Sequence, residues 1–178
     1  RVAVGFRFSR KNTQMNGSSG QEVILHKLTP HTVLSYRFTI DWNPGMDLSL
    51  KTRIEIKKAR DSGLDIGPGY FLSQDVKFSP LKWPASFTFR FALFDIPDYD
   101  VRICTYEPEV LYGYSVPAFQ GRGMRSCLVM KFRIGRKIDF WLRGGLIYYT
   151  DRDEVGTGAD MTKGNMRSEV TGQVMFRL

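Results

Sequence analysis

The sequence predicts an all-β protein, a transmembrane antiparallel up-and-down β-barrel with eight strands in this chain. Eight segments alternate apolar and polar residues with period two, as strands with two unlike faces do. The connections between them alternate in length, which places every short turn at one end of the sheet. Each segment covers roughly 9–11 residues, the length that a strand tilted by about 45° needs to cross a bilayer.

The predicted strands belong to a single domain, because a chain of 178 residues permits one. The last strand shows the alternation well: Val170, Val174 and Phe176 lie on one face, with Glu169 and Gln173 on the other. The eight strands lie near residues 1–10, 31–42, 47–59, 69–79, 85–96, 122–134, 137–151 and 165–178.

The connections assign the two ends of the barrel. Short, turn-prone segments occupy residues 42–47, 80–84 and 135–137. Long loops are predicted at 11–30, 60–69, 96–122 and 152–165. In bacterial barrels the short turns face the periplasm and the long loops face outward. The sequence therefore predicts a bacterial outer-membrane protein whose chain ends are periplasmic and whose long loops are extracellular.

Composition agrees with membrane-spanning strands and disfavours spanning helices. Apolar residues make up 42% of the chain, and no run approaches 18 apolar residues. The sequence begins with Arg1 and carries no signal peptide, which leaves open a mature form or a missing upstream part. A soluble, lipocalin-like barrel is the alternative, with the apolar face inward and the arginines solvated outside.

The formal charge of +8 does not indicate nucleic-acid binding, because the basic residues occur singly on alternating strand positions. One group of them is predicted to face the lumen in a charged network. That network comprises Arg37, Lys51, Arg53, Glu55, Lys57, Asp75, Lys77, Arg90, Lys131, Arg133, Asp139, Arg143 and Glu169. A second group near the outer rim is predicted to contact lipopolysaccharide phosphates, or else to be solvated loop-base charges. These residues are Arg10, Lys11, Lys58, Arg60 and Arg152.

Two further features suggest chemistry without establishing it. Cys104 and Cys127 would both lie on the oxidising outer side, where they form either a disulfide or two free thiols. An acidic loop offers hard oxygen ligands for Ca²⁺, although its spacing does not match an EF-hand, and a solvated loop is the alternative. Its acidic residues are Asp151, Asp153, Glu154 and Asp160. The sequence predicts no cofactor.

The long third loop is too aromatic to be simply solvated. The segment from Asp98 to Gly123 is expected to fold over or into the barrel mouth, or to dock a partner. Histidines and aspartates near the outer rim also suggest a hydrolase with an Asp/His site. The candidates are His26, His31, Asp95, Asp98 and Asp100. No nucleophile–base–orienter set follows from their spacing.

Two stretches of this chain carry recognisable motifs. The first contains Phe94-Asp95, Asp98-Tyr99-Asp100-x-Arg102-Ile103, Tyr106-Glu107, Val110-Leu111-Tyr112-Gly113, Pro117-Ala118 and Gly121-x-Gly123. The second contains Asp151-Arg152, Gly156-x-Gly158-x-Asp160, Gly164-Asn165 and Ser168-Glu169. With these motifs the chain resembles the C-terminal part of long Bacteroidota outer-membrane proteins, which often carry helix-hairpin-helix modules before the barrel. The resemblance implies that this chain is the tail of a longer protein, inserted by the barrel-assembly machinery. It carries over no DNA binding, because this sequence contains no helix-hairpin-helix segment, and the chain ends in Leu178 where bacterial barrels commonly end in an aromatic residue.

Three functions remain open on the sequence. The first is a structural or partner-binding scaffold with large outer loops, presented to lipid, lipopolysaccharide and other outer-membrane subunits. The second is a passive channel favouring anions, which requires these strands to be part of a larger barrel, since eight closed strands leave an interior filled by side chains. The third is the rim enzyme.

Overall fold

The computed structural model describes residues 1–19, 22–61, 63–135, 137–156 and 161–177. Within these ranges it describes the side chains of all residues except those between 15 and 29. Twelve strands and one short 3₁₀ helix, η1 (Tyr99–Val101), are present in these ranges. Eight strands form the main sheet: β1 (Val2–Ser19), β2 (Glu22–Trp42), β3 (Leu48–Asp61), β4 (Leu64–Phe78), β5 (Ala85–Ile96), β8 (Gly121–Ile134), β9 (Ile138–Tyr149) and β12 (Met166–Phe176). Four two-residue strands decorate the loops: β6 (Ile103–Cys104), β7 (Ala118–Phe119), β10 (Glu154–Val155) and β11 (Thr162–Lys163). No helix in the described ranges is long and apolar enough to cross a membrane.

The main sheet is antiparallel, and each strand pairs with the next one along the chain. Its order is β1-β2-β3-β4-β5-β8-β9-β12. The all-β class and the eight-stranded, up-and-down connectivity are therefore confirmed. The sheet is open over the described residues, because β1 and β12 each have one neighbour. Two edges thus present backbone donors and acceptors that the sheet itself does not pair.

Two of the predicted loops are wrong. Residues 11–30 continue the first hairpin, and pairing runs from Val2↔Trp42 to Ser19↔Glu22 with a register shift between Asn16 and Ser18. Residues 60–69 also continue a hairpin, with Asp61 paired to Leu64 and Gly63 in the left-handed region at φ 87°. Ladder hydrogen bonds hold two strands together whether or not their side chains alternate in polarity. The hairpins therefore extend past the segments in which the alternation is visible.

The two faces of the main sheet differ as the sequence predicts. Large apolar side chains stand exposed on one face of every strand, which we call the outer face. They include Val4, Phe6, Phe8, Phe38, Ile54, Leu72, Phe89, Leu93, Leu128, Leu146 and Val174. The opposite, polar face buries Glu55, Arg90, Asp139 and Arg143. The lipocalin-like alternative, with solvated arginines and an apolar interior, is not the arrangement of this molecule.

The third long loop, residues 97–120, folds back onto the polar face, as the aromatic composition of this segment predicts. Val101, Ile103 and Phe119 of the loop are buried against Phe71 and Phe94 of the sheet. The ring centroids of Phe71 and Phe94 lie 5.0 Å and 5.2 Å from that of Phe119, in tilted or edge-on geometry. This apolar cluster anchors the loop, and it positions the next loop residues over the charged part of the face.

Candidate functional site

Four consecutive loop residues, Thr105 to Pro108, are held by side chains from the polar face. We call this segment the tether. The Arg53 guanidinium donates to Thr105 Oγ1 at 2.5 Å, and Arg90 Nη1 donates to the Tyr106 carbonyl. The Pro108 carbonyl accepts from Arg143 Nε at 3.1 Å. These arginines belong to strands β3, β5 and β9, so the tether crosses the sheet and ties its strands to one chain segment.

Glu107 makes the strongest contacts of the tether. Its carboxylate accepts two hydrogen bonds from Arg125, at 2.6 Å each, and one from Arg143 Nη2 at 2.6 Å. Glu169 of β12 lies against the same two arginines, at 2.6 Å from Arg125 and 2.9 Å from Arg143. Glu109 adds a contact to Arg143 at 3.2 Å. Bidentate arginine–carboxylate pairs fix geometry as well as charge, so this cluster sets the position of the loop over β8, β9 and β12.

Two smaller charge clusters lie beside the tether. Glu55 is buried and is contacted by Arg37 at 2.8 Å and by Arg53. The Asp75 carboxylate accepts hydrogen bonds from Nε and Nη2 of Arg90, at 2.5 Å each. Every buried carboxylate in these clusters therefore faces at least one guanidinium, as burial of a charge requires.

The remaining members of the predicted network lie away from the tether. Asp139, near the short turns, accepts from Arg133 at 3.2 Å and from Arg177. Exposed Lys51 pairs with half-buried Asp41 at 3.3 Å, and the Lys131 ammonium lies 5.1 Å from the centre of the Trp141 ring. Lys57 Nζ donates to the Arg102 carbonyl at 2.7 Å. Lys77 is exposed near the end of β4.

A glycine makes room for the Glu107 cluster. Gly145 of β9 is the register partner of both Cys127 and Glu169. A Cβ atom on Gly145 would lie 2.7 Å from Glu169 Oε1. Glu169 therefore lies flat across this glycine, which allows its carboxylate to reach the guanidinium groups of Arg125 and Arg143.

The rim cations do not form one group. Arg10, Lys58 and Arg60 border a common hollow of about 640 Å³ on the outer side of β1–β4. Arg60 pairs there with Asp65 at 2.7 Å, with both side chains largely exposed. Lys11 lies on the opposite face, and Arg152 lies near the third and fourth loops, with its guanidinium 4.2 Å from the Tyr149 ring centre. Three of the five predicted residues thus share a surface.

Of the two alternatives left open for the cysteines, the structure shows two free thiols and no disulfide between Cys104 and Cys127. Cys104 lies exposed on β6, which pairs with Ala118 of β7. Cys127 is buried on β8, where its thiol faces the Pro108 carbonyl at 3.6 Å. The tether lies over Cys127, whereas Cys104 lies on β6, toward the β3 side of the polar face. The two thiols therefore lie in different parts of this face.

The acidic loop shows no metal site in the part of the chain that the structure describes, where no group of three histidine, cysteine or carboxylate ligands gathers. Asp160 lies outside the described residues. Asp151 instead accepts from Arg152 at 3.2 Å. Partial burial acts to raise the pKa of Asp151, but hydrogen bonds from Arg152 and from the Arg122 backbone outweigh it, and the pKa lies below its ordinary value.

Of the rim histidine and aspartate candidates, the structure brings one pair together. His31 Nδ1 lies 4.0 Å from Asp100 Oδ2. Asp95 is paired with Arg122 at 2.9 Å, and Asp98 caps η1 by accepting from the Asp100 amide at 2.9 Å. The side chain of His26 lies outside the described residues.

Sequence reasoning did not include Arg125, Glu107, Glu109 or Arg177 in the network. Arg125 and Arg177 fall on the polar positions of their strands, so the alternation was sufficient to identify them. Glu107 and Glu109 lie in a loop with no period, and only the folding of that loop brings them to the sheet. The loop partners of the network were therefore not accessible to pattern analysis.

No protein-family model, curated protein or solved structure matches this chain.

Proposed function

We propose that this chain forms the wall of an outer-membrane β-barrel and acts as a structural or partner-binding scaffold whose third loop fills much of the interior. The observation that carries this proposal is the exposed apolar outer face, which extends over all eight strands of the main sheet. Monomeric soluble proteins rarely expose a contiguous apolar patch larger than a few hundred Å². The opposite face holds a paired and buried charge network, as the interior of a small barrel requires.

Aromatic side chains support the assignment of two interfaces. Trp42 and Trp83 are exposed at the short-turn end, and Phe78 packs edge-on to Trp83 with centroids 6.3 Å apart. Tyr36 and Tyr70 are exposed toward the other end. Amphipathic rings are favoured where hydrocarbon meets headgroups. The hollow that contains Arg10, Lys58 and Arg60 lies beyond this level, where phosphates of lipopolysaccharide would meet it.

The unpaired edges set a condition on this proposal. A bilayer provides no water to satisfy backbone groups, so β1 and β12 must be paired in the membrane. They pair either with each other or with further strands. The second arrangement gives a wider barrel, and it fits the resemblance to longer outer-membrane proteins.

A reconstitution experiment tests the scaffold. The protein is refolded into phosphatidylcholine vesicles and in buffer without detergent, and it is assayed by resistance to carbonate extraction and by heat-modifiable electrophoretic mobility. We expect a carbonate-resistant species with shifted mobility in vesicles and aggregation in buffer. A stable, monodisperse protein in buffer alone would contradict the proposal.

A passive pathway that favours anions is the second candidate. It is supported by inward cations that line a cavity beside the loop, including Arg7 and Lys11 of β1, which the loop leaves uncovered. Planar-bilayer conductance separates the two functions. A scaffold with a filled interior gives no stable open state, whereas a wider barrel gives an anion-selective one.

A further inference from the structure

A cavity of about 620 Å³ lies on the polar face, between strands β1–β3 and the start of the third loop. Its size falls within the roughly 300–1,000 Å³ range of small-molecule sites. The tether and the ion pairs of Glu107 lie on the other side of β3, so this cavity is separate from the Glu107 cluster. It remains open because the loop covers β3 to β9 and leaves the inward side chains of β1 uncovered.

The lining of the cavity is strongly cationic. Five basic side chains line it, against two carboxylates, and hydroxyl groups of serine and threonine lie between them. The basic residues are Arg7, Lys11, Arg37, Lys57 and Arg102. Of the carboxylates, Glu55 is already engaged by Arg37 and Arg53. Asp100 is then the remaining carboxylate in the described lining.

Most of these cations have no ionic partner among the residues that the structure describes. Arg7 and Lys11 make no ion pair there, and Lys57 donates to a backbone carbonyl. Arg102 likewise donates to the Tyr99 carbonyl at 3.0 Å and stacks its guanidinium over the Tyr99 ring at 3.8 Å. Guanidinium and ammonium groups held by neutral acceptors keep their full charge available to an incoming anion.

A second, independent feature points to a ligand. His31 lines the cavity with 5% of its surface exposed, and its Nδ1 atom has no hydrogen-bond partner among the residues that the structure describes. Asp100 approaches that atom only to 4.0 Å, beyond hydrogen-bond distance. Buried polar atoms without partners are rare in folded proteins, and a bound ion or solute is one of the ways in which such an atom is satisfied.

We infer that this cavity binds a small, multiply charged oxyanion of the phosphoryl or polycarboxylate class, with Arg7, Lys11 and Arg102 as its main contacts and His31 at its inner end. Several separate cations suit an anion that carries two or more charges better than a single halide. The outer face is the lipid side of the sheet, so the ligand is a dissolved solute and not a lipid headgroup. The site does not depend on whether the barrel conducts.

Isothermal titration of the detergent-solubilised full chain with inorganic pyrophosphate, at fixed ionic strength, tests the inference. We expect saturable binding that an Arg7→Gln/Lys11→Gln variant weakens at least tenfold. The matched control is Lys82→Gln/Lys137→Gln, which removes the same charge from exposed positions at the short-turn end and is expected to bind as the parent does. Absence of saturable heat, or equal weakening in both variants, would overturn the site.

A measurement on the unaltered protein tests the site without depending on whether the double variant folds. The imidazole NMR signals of His31, assigned by comparison with His31→Gln, should shift with the same saturation as the titration heat. Unmoved signals would overturn the placement of the ligand. The vesicle assay is run in parallel on each variant. Weakened pyrophosphate binding in an Arg7→Gln/Lys11→Gln protein that still inserts supports the anion site. Absence of binding in a parent protein that inserts counts against the anion site alone, and loss of insertion in the parent counts against the scaffold.

Discussion

Glu107 Oε2 lies 2.6 Å from Arg143 Nη2, although the two residues are 36 positions apart, and their side chains are only 1% and 3% exposed. One comes from the middle of a long loop and the other from the centre of strand β9. Arg125 reaches the same carboxylate from β8. The loop is therefore fixed over the polar face by charge at this point and by apolar packing around Phe119.

Neutralising Glu107 should release the loop. In Glu107→Gln the amide replaces one of the three carboxylates that contact Arg125 and Arg143. Because Glu109 and Glu169 remain as countercharges, the cost stays below the about 3–5 kcal/mol of a fully broken buried pair. We expect faster amide exchange and faster proteolysis across residues 97–120, measured on the detergent-solubilised protein.

The control for this variant is Asp65→Asn, which neutralises the acid of the exposed Arg60–Asp65 pair. Exposed pairs contribute little, so loop protection should stay at the parental level. Equal loop protection in Glu107→Gln and in the parent would contradict the clamp.

The substitution Gly145→Val should disturb the same cluster by displacing Glu169. The added Cβ would meet the Glu169 carboxylate at 2.7 Å and push it from Arg125 and Arg143. We expect a loss of about 1–3 kcal/mol in the free energy of unfolding, as for other overpacked sites. Urea titration in detergent micelles measures it.

The adjacent glycine provides the comparison, because a Cβ on Gly144 would have nothing within 4 Å. Gly144→Val should therefore leave the urea midpoint close to that of the parent. If both valines shift the midpoint equally, the effect belongs to strand backbone preferences and not to Glu169.

An arginine at position 128 tests the lipid contact of the outer face. Leu128 is exposed in the middle of β8 and pairs with Gly144. Arginine near the bilayer midplane costs about 2–4 kcal/mol. Leu128→Arg should lower the folding free energy in vesicles by that amount, as measured by urea titration of tryptophan fluorescence.

Leu81→Arg is the matched substitution, at an exposed apolar residue in a short turn. It should cost far less, because the proposed membrane position places this turn in water. Equal costs for the two arginines would count against a membrane position for β8.

The backbone groups along the open edges should be protected once the protein is in a bilayer. An unsatisfied peptide group in hydrocarbon costs several kcal/mol, so β1 and β12 cannot remain unpaired there. We expect slow exchange of the edge amides of Val170 to Val174 in lipid nanodiscs. Fast exchange at these positions in folded protein would contradict closure of the barrel, and an intact mass of the native folded species above 20.5 kDa would indicate that other strands provide the pairing.

The sequence by itself determined the all-β class, the eight main strands and the separation of Phe89 and Leu128 from Arg90 and Cys127. Period-two alternation is a local property, and the pleat converts it directly into two faces. It also predicted most of the charged face, since strand position alone decides where Arg53, Arg90 and Arg143 point.

Only the tertiary structure decided what those charges contact. Glu107 lies in a segment with no period, and the register that brings it to Arg125 depends on the docking of Ile103, four residues before it, and of Phe119, twelve residues after it. The open edges, the free thiols and the cavity at His31 follow from how far each hairpin extends and where the loop comes to rest. These are long-range outcomes of packing, which no local pattern of residues encodes.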